Sequence, residues 1–352
     1  MVTFSPGPSQ VYPQLEGYLS EAFQSGILSV SHRSAAFNAL SAETISLIRS
    51  KLAVPDDYTI LYTGSATECW EIIAQSLTRR QSVHFSSGSF GDKWHHYAAC
   101  IHPQSQRVSM ALNEPLYVPY LDVKEDDEII CLTQNETSNG TQIDFDTLAA
   151  VRGAFPDKLI ALDCTSSMAG LHLPFALGDI WFASVQKCFG LPAGLGLMIL
   201  SPAAVERALE IGDNSRYNSL IVMLEHMKNF QTSCTPNVLG IFLLNRVLQQ
   251  VPRIEEVDAL LRRRMEHYLP LFFNNSNMRP LISNPKVQSV TVLALETEPE
   301  FLAGLKAEAA ATGIQLGSGY GKWKSNTFRI ANFPAISAAQ TEALMDFFKK
   351  EI

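Results

Sequence analysis

The sequence predicts an α/β fold, with a large domain built on a mainly parallel sheet and a smaller α+β domain at its carboxyl-terminal end. The chain has 352 residues, enough for two domains at roughly 150 residues each. Its 46% hydrophobic and 18% charged residues are typical of a globular protein. Short β-branched apolar runs alternate with helical patterns over about two hundred residues, as in parallel sheets with crossover helices.

Six apolar runs in this alternating region are predicted strands, because each is short and is bounded by turn-forming residues. They lie at 59–62, 82–85, 128–132, 159–162, 180–183 and 196–199. Helical periodicity between them predicts helices that include 66–77 and 147–154.

Pro252 marks the predicted domain boundary, because helical patterns at 237–250 and 254–269 lie on either side of it. Beyond it, the pattern predicts strands at 289–295 and 327–331 and helices at 298–312 and 338–350. We therefore expect a large α/β domain at 16–251 and a small α+β domain formed by 1–15 with 252–352.

The charge balance restricts the partners of the protein. Lys and Arg number 27 against 35 Asp and Glu, a net charge of −8, which disfavours nucleic acid and anionic lipid in general. A small anionic substrate would need a local basic pocket. The amino terminus carries no basic region followed by an apolar one, and no run of about 18 apolar residues occurs, so a cytoplasmic protein is expected.

The six cysteines are spread singly through apolar sequence, without a C-x-x-C pair or a cysteine and histidine cluster at zinc spacing. We interpret them as reduced thiols in the core.

His95, His96 and His102 also lack partners at ligand spacing, so packing or surface positions are expected for them and no metal is predicted. The run of arginines at 262–264 lies in an amphipathic helix and is predicted to be a solvated face.

Lys187 is the first candidate for chemistry. It is the single charged residue between Asp179 and Glu206, in an apolar stretch. Such an ammonium extends to solvent, finds a partner or gives up its charge. The functional alternative to a lysine that reaches solvent is an amine that forms a Schiff base with an aldehyde cofactor, since burial favours the free amine.

Asp163 is the second candidate, because it ends the predicted strand at 159–162. Ligands of parallel sheets gather at the carboxyl ends of strands. A carboxylate there suits a pyridinium nitrogen, although a helix cap or a turn residue is the alternative interpretation. A third, weaker signal is the strand, glycine turn and helix start around Gly64, whose free backbone N–H groups would suit a phosphate ester.

These features lie within a wider resemblance. Four stretches carry it, in the family's order: Phe-Ser-Pro-Gly-Pro at 4–8, Ser-His-Arg at 31–33, Asn-Glu-Thr-Ser-Asn-Gly at 135–140, and Gln-Lys followed by Gly-Leu-Pro-Ala-Gly at 186–194. Over nearly its whole length the chain resembles the fold-type I pyridoxal-phosphate (PLP) enzymes, the class V aminotransferases among them and the phosphoserine aminotransferase branch in particular. The resemblance implies a PLP-dependent transaminase with a sheet of seven-stranded type.

The resemblance implies roles toward the cofactor ring. Lys187 would be joined to PLP and would carry the proton between the substrate α-carbon and the cofactor. Asp163 would pair with the pyridine nitrogen, Thr137 would donate to the ring oxygen, and Phe90 would stack on the ring where the family usually has tryptophan.

It also implies a phosphate site and a homodimer with shared active sites. The Ala66 and Thr67 amides would hold the phosphate, with Gln186 nearby and Thr235 reaching over from a second subunit.

For the substrate, the resemblance assigns the α-carboxylate to Arg329 and the distal anion to His32 and Arg33. The alternatives are that Arg329 is an ordinary arginine of a strand and that His32 and Arg33 are a solvated pair next to a helix. Well-known phosphoserine enzymes carry an arginine where Thr67 stands and a His-Arg pair upstream of Arg329. Lys322 or Lys324 is a possible substitute for those cations.

The leading functional hypothesis is transamination between O-phospho-L-serine and 2-oxoglutarate in serine biosynthesis. The alternative is a class V aminotransferase that acts on alanine, serine or glyoxylate. A binding protein without turnover on the same scaffold is a third hypothesis, which the presence of Lys187, Asp163 and Thr137 disfavours. Cysteine desulfurase is disfavoured because no cysteine lies in a Gly/Ser-rich segment near the chain end.

Overall fold

The computed structural model describes residues 1–273 and 275–351. Fourteen strands are described within them. They are β1 (Val2–Phe4), β2 (Thr59–Thr63), β3 (Gln81–Ser86), β4 (Gln106–Ser109), β5 (Asp127–Thr133), β6 (Asn135–Glu136), β7 (Thr141–Gln142), β8 (Leu159–Asp163), β9 (Ile180–Ser184), β10 (Gly196–Leu200), β11 (Met278–Pro280), β12 (Val292–Thr297), β13 (Ile314–Ser318) and β14 (Thr327–Ala331).

Twelve α-helices are described in the same residues. They are α1 (Leu15–Gln24), α2 (Ala35–Leu52), α3 (Ala66–Ser76), α4 (Ser89–Ile101), α5 (Phe145–Ala154), α6 (Pro202–Ile211), α7 (Leu220–Met227), α8 (Val238–Gln250), α9 (Ile254–Tyr268), α10 (Pro270–Phe273), α11 (Pro299–Ala311) and α12 (Ala338–Glu351). None of them is long and apolar enough to cross a membrane.

The larger sheet has seven strands in the order β2-β10-β9-β8-β5-β3-β4. Its strands from β9 to β4 are parallel to one another, while β10 runs antiparallel to both β9 and β2. All residues of β8, β9 and β10 are buried, as expected where helices cover both faces of a sheet. The prediction of a mainly parallel sheet is thus confirmed.

Alternation along the strands divides the core of this sheet into two layers. On β9, Ile180 and Phe182 belong to the cluster formed with α3, α4 and α6. Trp181 and Ala183 belong to the opposite cluster, formed with α2, α5 and α8. The apolar runs in the sequence therefore have no polar face, because both faces are covered.

The smaller sheet has five strands in the order β1-β13-β14-β12-β11. The first strand of the chain pairs in parallel with β13, so residues near the amino terminus join this carboxyl-terminal sheet. Helices α9, α11 and α12 contribute to its apolar cluster. The residue limits of the two domains stay a prediction.

Three expectations from the sequence need correction. The strand predicted from residue 289 begins at Val292, because the Ser289 hydroxyl accepts the N–H groups of Thr291 and Val292 in place of the sheet ladder. Arg264 is not solvated: it is buried and donates to the carbonyls of Phe333 and Ile336. All six cysteines are free thiols, but two are exposed and outside the core, Cys100 and Cys234.

Candidate active site

Three neighbouring strands of the larger sheet end at one place. Thr133 of β5 pairs with Asp163 of β8, and Asp163 pairs with Phe182, two residues before the end of β9. Lys187 follows β9 after a short loop. The parallel order of these strands therefore brings the predicted aspartate and lysine to one edge of the sheet.

A cavity of about 290 Å³ opens at this edge. It holds most of the residues predicted for the cofactor, together with several that were not predicted. Its lining is Pro6, Gly7, Pro8, Ala66, Thr67, Trp70, Phe90, Thr133, Asn135, Thr137, Asp163, Thr165, Ser184, Gln186, Lys187, Tyr320 and Arg329.

Lys187 is buried, with 6% of its surface exposed. Its Nζ donates to Thr137 Oγ1 at 2.6 Å, and Gly7 passes so close that an added Cβ would lie 3.2 Å from Lys187 Cε. Burial lowers the pKa of the Lys187 ammonium to about 8, against the opposing pull of the Asp163 carboxylate. The amine therefore gives up its proton far more readily than an exposed lysine, and the alternative of a side chain reaching solvent is wrong.

The Asp163 carboxylate is held by donors on both oxygens. Oδ1 accepts from the backbone N–H of Thr165 at 3.0 Å and from its hydroxyl at 2.5 Å, and Oδ2 accepts from Trp70 Nε1 at 3.1 Å. Burial raises the pKa of Asp163, while these donors and Lys187 oppose that rise. Oδ1 therefore stabilises the turn that follows β8, as the alternative interpretation of Asp163 expected. The same carboxylate also lines the cavity.

Arg329 and Thr137 connect the two sheets across the cavity. Arg329 on β14 is buried, and its Nη1 donates to the Thr137 carbonyl at 2.7 Å while its Nε donates to the Ser318 carbonyl at 2.7 Å. Burial lowers the pKa of Arg329 to about 10. Two carbonyls thus orient the guanidinium and leave other N–H groups of its fork for an anion.

Glu136 is a buried carboxylate that the sequence reasoning quoted within a motif and gave no role. Its Oε2 accepts the N–H groups of Phe90 and Gly91, both at 3.1 Å, and its Oε1 accepts from Ser138. Glu136 therefore accepts the free backbone N–H groups in the first turn of α4. It also joins the Phe90 backbone to the loop that carries Thr137.

Tyr320 is a second residue that the sequence reasoning did not single out. Its ring stacks on Phe90 with centroids 5.1 Å apart, and the Arg329 guanidinium lies over it at 5.5 Å. Phe90 in turn lies 5.1 Å from Lys187 Nζ. An aromatic pair contributed by both parts of the chain thus forms one side of the cavity.

The predicted phosphate site is at the start of α3, where the Ser65 hydroxyl caps the helix. The Ala66 amide donates to Ser184 Oγ at 2.7 Å, so Ser184 is a further polar group at this position. Thr67 and Gln186 line the same cavity. Ala66, Thr67 and Gln186, the residues predicted for the phosphate, therefore line one cavity.

Three predicted residues are not brought into this cavity within one chain. Thr235 is exposed and lines a different cavity of about 210 Å³, together with Gln231. Arg33 Nη1 donates to Gln231 Oε1 at 2.9 Å and lies 3.0 Å from His226 Nδ1, with His32 beside it in sequence. Arg33, expected at the distal anion, and Thr235, expected at the cofactor phosphate, thus lie near each other, because Gln231 contacts the first and lines a cavity with the second.

The substitute cations considered from the sequence lie outside the cavity lining. Lys322 and Lys324 are both exposed, and the Lys322 ammonium lies over the Trp323 ring at 4.6 Å. Among the described residues no cluster of metal-ligating side chains occurs. His95 and His102 each contact a backbone carbonyl through Nε2, those of Ser105 and Ala74.

The residues present fit PLP. Thr133 Oγ1, Asn135 Oδ1 and Gln186 Oε1 are buried in the lining without a hydrogen-bond partner among the described residues. Buried polar atoms of this kind need a partner. A polar, aromatic-walled cavity with a reactive lysine, an opposing carboxylate and an amide-lined helix start supplies what an aldehyde, a ring nitrogen and a phosphate each require.

Comparison with known proteins supports this assignment, although no family model matches the chain. A solved phosphoserine aminotransferase from Cytophaga hutchinsonii has 30% identity and a TM-score of 0.94, covering 100% of this chain and 99% of that one. A curated phosphoserine aminotransferase of Nocardioides sp. is 27% identical over 97% of this chain and 92% of its own. A PLP-bound phosphoserine aminotransferase structure from Trichomonas vaginalis, at 21% identity and covering 98% and 99% of the two chains, shares the fold with a TM-score of 0.79. The predicted fold-type I architecture is confirmed.

Proposed function

Because the chain belongs to the phosphoserine aminotransferase family, a branch of the class V PLP-dependent aminotransferases, we propose that it exchanges the amino group of O-phospho-L-serine with 2-oxoglutarate. The products are 3-phosphooxypyruvate and glutamate, which places the reaction in serine biosynthesis. One observation carries the proposal: Lys187, Asp163, Thr137 and Arg329 line a single cavity in this family's fold.

The enzyme is a PLP-dependent transaminase. PLP supplies an aldehyde that takes up the amino group and a ring that accepts electrons from the substrate α-carbon. Lys187 Nζ would hold the cofactor covalently. Asp163 would accept a hydrogen bond from the ring nitrogen, Thr137 would donate one to the ring oxygen and Phe90 would stack on the ring. The Thr67 amide and Gln186 would hold the phosphate, and the Ala66 amide would join them by giving up its hydrogen bond to Ser184 Oγ.

Lys187 would also move a proton when its amine is free. The Nζ amine would take the proton from the substrate α-carbon and then give it up again, so the net proton count of the residue would be unchanged. Its lowered pKa keeps a substantial free-amine fraction near pH 8. Thr137 Oγ1, 2.6 Å from Nζ, fixes the position from which this transfer starts.

Arg329 receives the substrate α-carboxylate. Its fork matches a carboxylate in geometry, and the carbonyls of Thr137 and Ser318 prevent it from turning away. Burial strengthens the pairing of Arg329 with the substrate carboxylate, because a buried guanidinium without an anionic partner costs free energy. The distal anion, phosphate in one half-reaction and carboxylate in the other, requires a second basic group.

We assign that second group to His32 and Arg33 of a second subunit, in a homodimer with shared active sites. The support is their position: Arg33 contacts Gln231, and Gln231 shares a cavity with Thr235. A partner copy that brings Thr235 to the cofactor phosphate would bring Arg33 with it. The proposed setting is the cytoplasm, in keeping with six cysteines that are free thiols.

Subunit complementation tests this sharing. Lys187→Ala and Arg33→Ala proteins are each expected to be defective, with the arginine variant losing about 10 to 100-fold in kcat/KM for phosphoserine. Randomly reassociated mixtures should recover about a quarter of wild-type activity, because half of the dimers then carry one complete site. A mixture with only about half the activity of the Arg33→Ala protein, about 0.5 to 5% of the wild-type value, would place Arg33 in the site of its own chain.

The pH dependence of cofactor capture tests the state of Lys187. Only the neutral amine attacks an aldehyde, and its fraction falls with pH below the pKa. We expect capture of PLP by the apoprotein to rise about tenfold per pH unit up to pH 8 and then to level off. Stopped-flow absorbance measures this rate, with the Lys187→Ala protein as the control. A rate that rises steadily to pH 10 would mean an ordinary lysine.

The substrate is tested by half-reaction kinetics. The proposal predicts that kcat/KM for O-phospho-L-serine exceeds that for serine or alanine by at least about 100-fold, since a site built for a distal dianion leaves its cations unpaired with smaller amino donors. A preference for alanine, serine or glyoxylate would replace this proposal with the alternative class V activity while leaving the PLP chemistry intact.

A further inference from the structure

We propose that Trp70 is a positioning residue of the cofactor site, whose indole N–H fixes Asp163 Oδ2 as the hydrogen-bond acceptor that meets the cofactor's ring nitrogen. The inference rests on the PLP chemistry of the proposed function and does not depend on which amino acid is the substrate. Trp70 lies on α3, with 4% of its surface exposed, and lines the cavity beside Asp163.

The hydrogen bonds around Asp163 single out one oxygen. A carboxylate has about four acceptor positions, two on each oxygen. The Thr165 N–H and hydroxyl both go to Oδ1, and the Trp70 N–H goes to Oδ2. Oδ2 is left with one open acceptor position, so the oxygen held by Trp70 is the one available to a ring nitrogen.

Trp70 differs from Thr165 in the kind of donor it offers. A hydroxyl accepts as well as donates, so it can adapt to a protonated carboxyl, whereas an indole nitrogen only donates. A proton at the open position of Oδ2 would leave the indole N–H on a neutral hydroxyl oxygen, which is a weaker acceptor than a carboxylate oxygen. Trp70 therefore favours the ionised carboxylate, in opposition to the burial that raises the pKa of Asp163.

The indole is held in place independently of Asp163. Its ring stacks with Tyr97 of α4 at a centroid distance of 6.2 Å and an interplanar angle of 26°. It also belongs to the apolar cluster that contains Cys69 and Ile73 of α3. The donor is therefore preorganised, and it does not need the cofactor to take up its position.

The Trp70 donor affects the proton that Asp163 and the cofactor's ring nitrogen would share. With the indole donor present, the carboxylate is a weaker base and the shared proton stays on the ring nitrogen. Without the donor, the carboxylate becomes more basic and the proton shifts toward Asp163, which weakens both the ion pair and the ring as an electron acceptor.

The test compares Trp70→Phe with Trp94→Phe. Both changes remove a buried indole N–H and keep an aromatic ring, but the Trp94 N–H has no partner among the described residues and Trp94 does not line the cavity. We expect Trp70→Phe to raise the dissociation constant of PLP about tenfold, lower kcat about tenfold and leave KM within about twofold. Cofactor affinity and kcat equal to those of Trp94→Phe would overturn the proposal.

A second measurement keeps Trp70 in place and needs no folded Trp70 variant. The chain has 4 tryptophans, so ¹⁵N-labelled indole groups give a simple NMR spectrum, assigned by elimination from Trp94→Phe, Trp181→Phe and Trp323→Phe. The Trp70 indole signal should shift when PLP binds and in Asp163→Asn protein, while that of Trp94 stays. A Trp70 signal insensitive to both changes would contradict the assignment. The PLP dissociation constant and the NMR shifts use cofactor alone, so a wrong substrate leaves them unaffected, whereas kcat and KM are read with whichever amino acid the enzyme turns over.

Discussion

Replacing Lys187 by alanine is expected to abolish transamination, with kcat lowered by at least about 10⁴-fold. In the proposed site the change removes both the amine that would hold the cofactor and the base that would move the α-carbon proton, and base catalysis alone contributes about 10² to 10⁴-fold. The alanine protein should also lack the visible absorbance band of lysine-bound PLP. Steady-state kinetics and an absorbance spectrum of the purified protein measure the two effects.

The matched control is Lys322→Ala, since that ammonium is exposed and lies over Trp323 outside the cavity lining. It should retain both the band and the activity. If Lys187→Ala protein showed an unchanged band and turnover, another amine would hold the cofactor and the proposed site would be wrong.

Replacing Asp163 by asparagine is expected to lower kcat by about 10² to 10³-fold. Asparagine keeps the size of the side chain but offers no negative charge to a protonated ring nitrogen, so the ring becomes a poorer electron acceptor. Asparagine has one acceptor oxygen where the carboxylate has two, so it keeps the Thr165 donors and turns its NH2 group toward the Trp70 N–H. A thermal melt of the variant measures the stability cost of that unpaired donor. Single-turnover kinetics with phosphoserine isolates the proton-transfer step.

Asp146→Asn is the control for this second change, because Asp146 is exposed in the first turn of α5. Its kcat should match that of the wild type. A normal rate of proton transfer in Asp163→Asn protein would show that the ring nitrogen does not depend on this carboxylate.

The sequence was sufficient for the residues that follow strands. Asp163 ends β8 and Lys187 follows β9, and both strands are continuous apolar runs that a parallel sheet explains. Parallel neighbours end at the same edge, so the two side chains could be placed together without coordinates. For Phe90 and Arg329 the pattern alone was not enough, and the family resemblance supplied the expectation.

Residues that act through contacts between distant segments could not be predicted in this way. Trp70 looks like an apolar position on α3, and only the packing of α3 on the larger sheet brings its N–H to Asp163. Tyr320 reaches Phe90 because the smaller sheet lies beside the larger one. Glu136 was visible in a motif, but its bonds to Phe90 and Gly91 depend on where α4 begins.

Two further differences have the same physical origin. Arg264 follows the helical spacing of its charged neighbours, but it is buried because two backbone carbonyls, of Phe333 and Ile336, accept its hydrogen bonds. Arg33 and Thr235 lie away from the cavity of their own chain, and only the family resemblance, not the pattern of residues, gave the expectation that Thr235 serves a second subunit.

Reduction with borohydride followed by peptide mapping tests the central claim most directly. The reduction makes the bond between cofactor and amine permanent, and mass spectrometry then identifies the modified lysine. The site described here predicts one labelled peptide, with PLP on Lys187. Label on a different lysine, or none in a protein that was yellow before reduction, would contradict it.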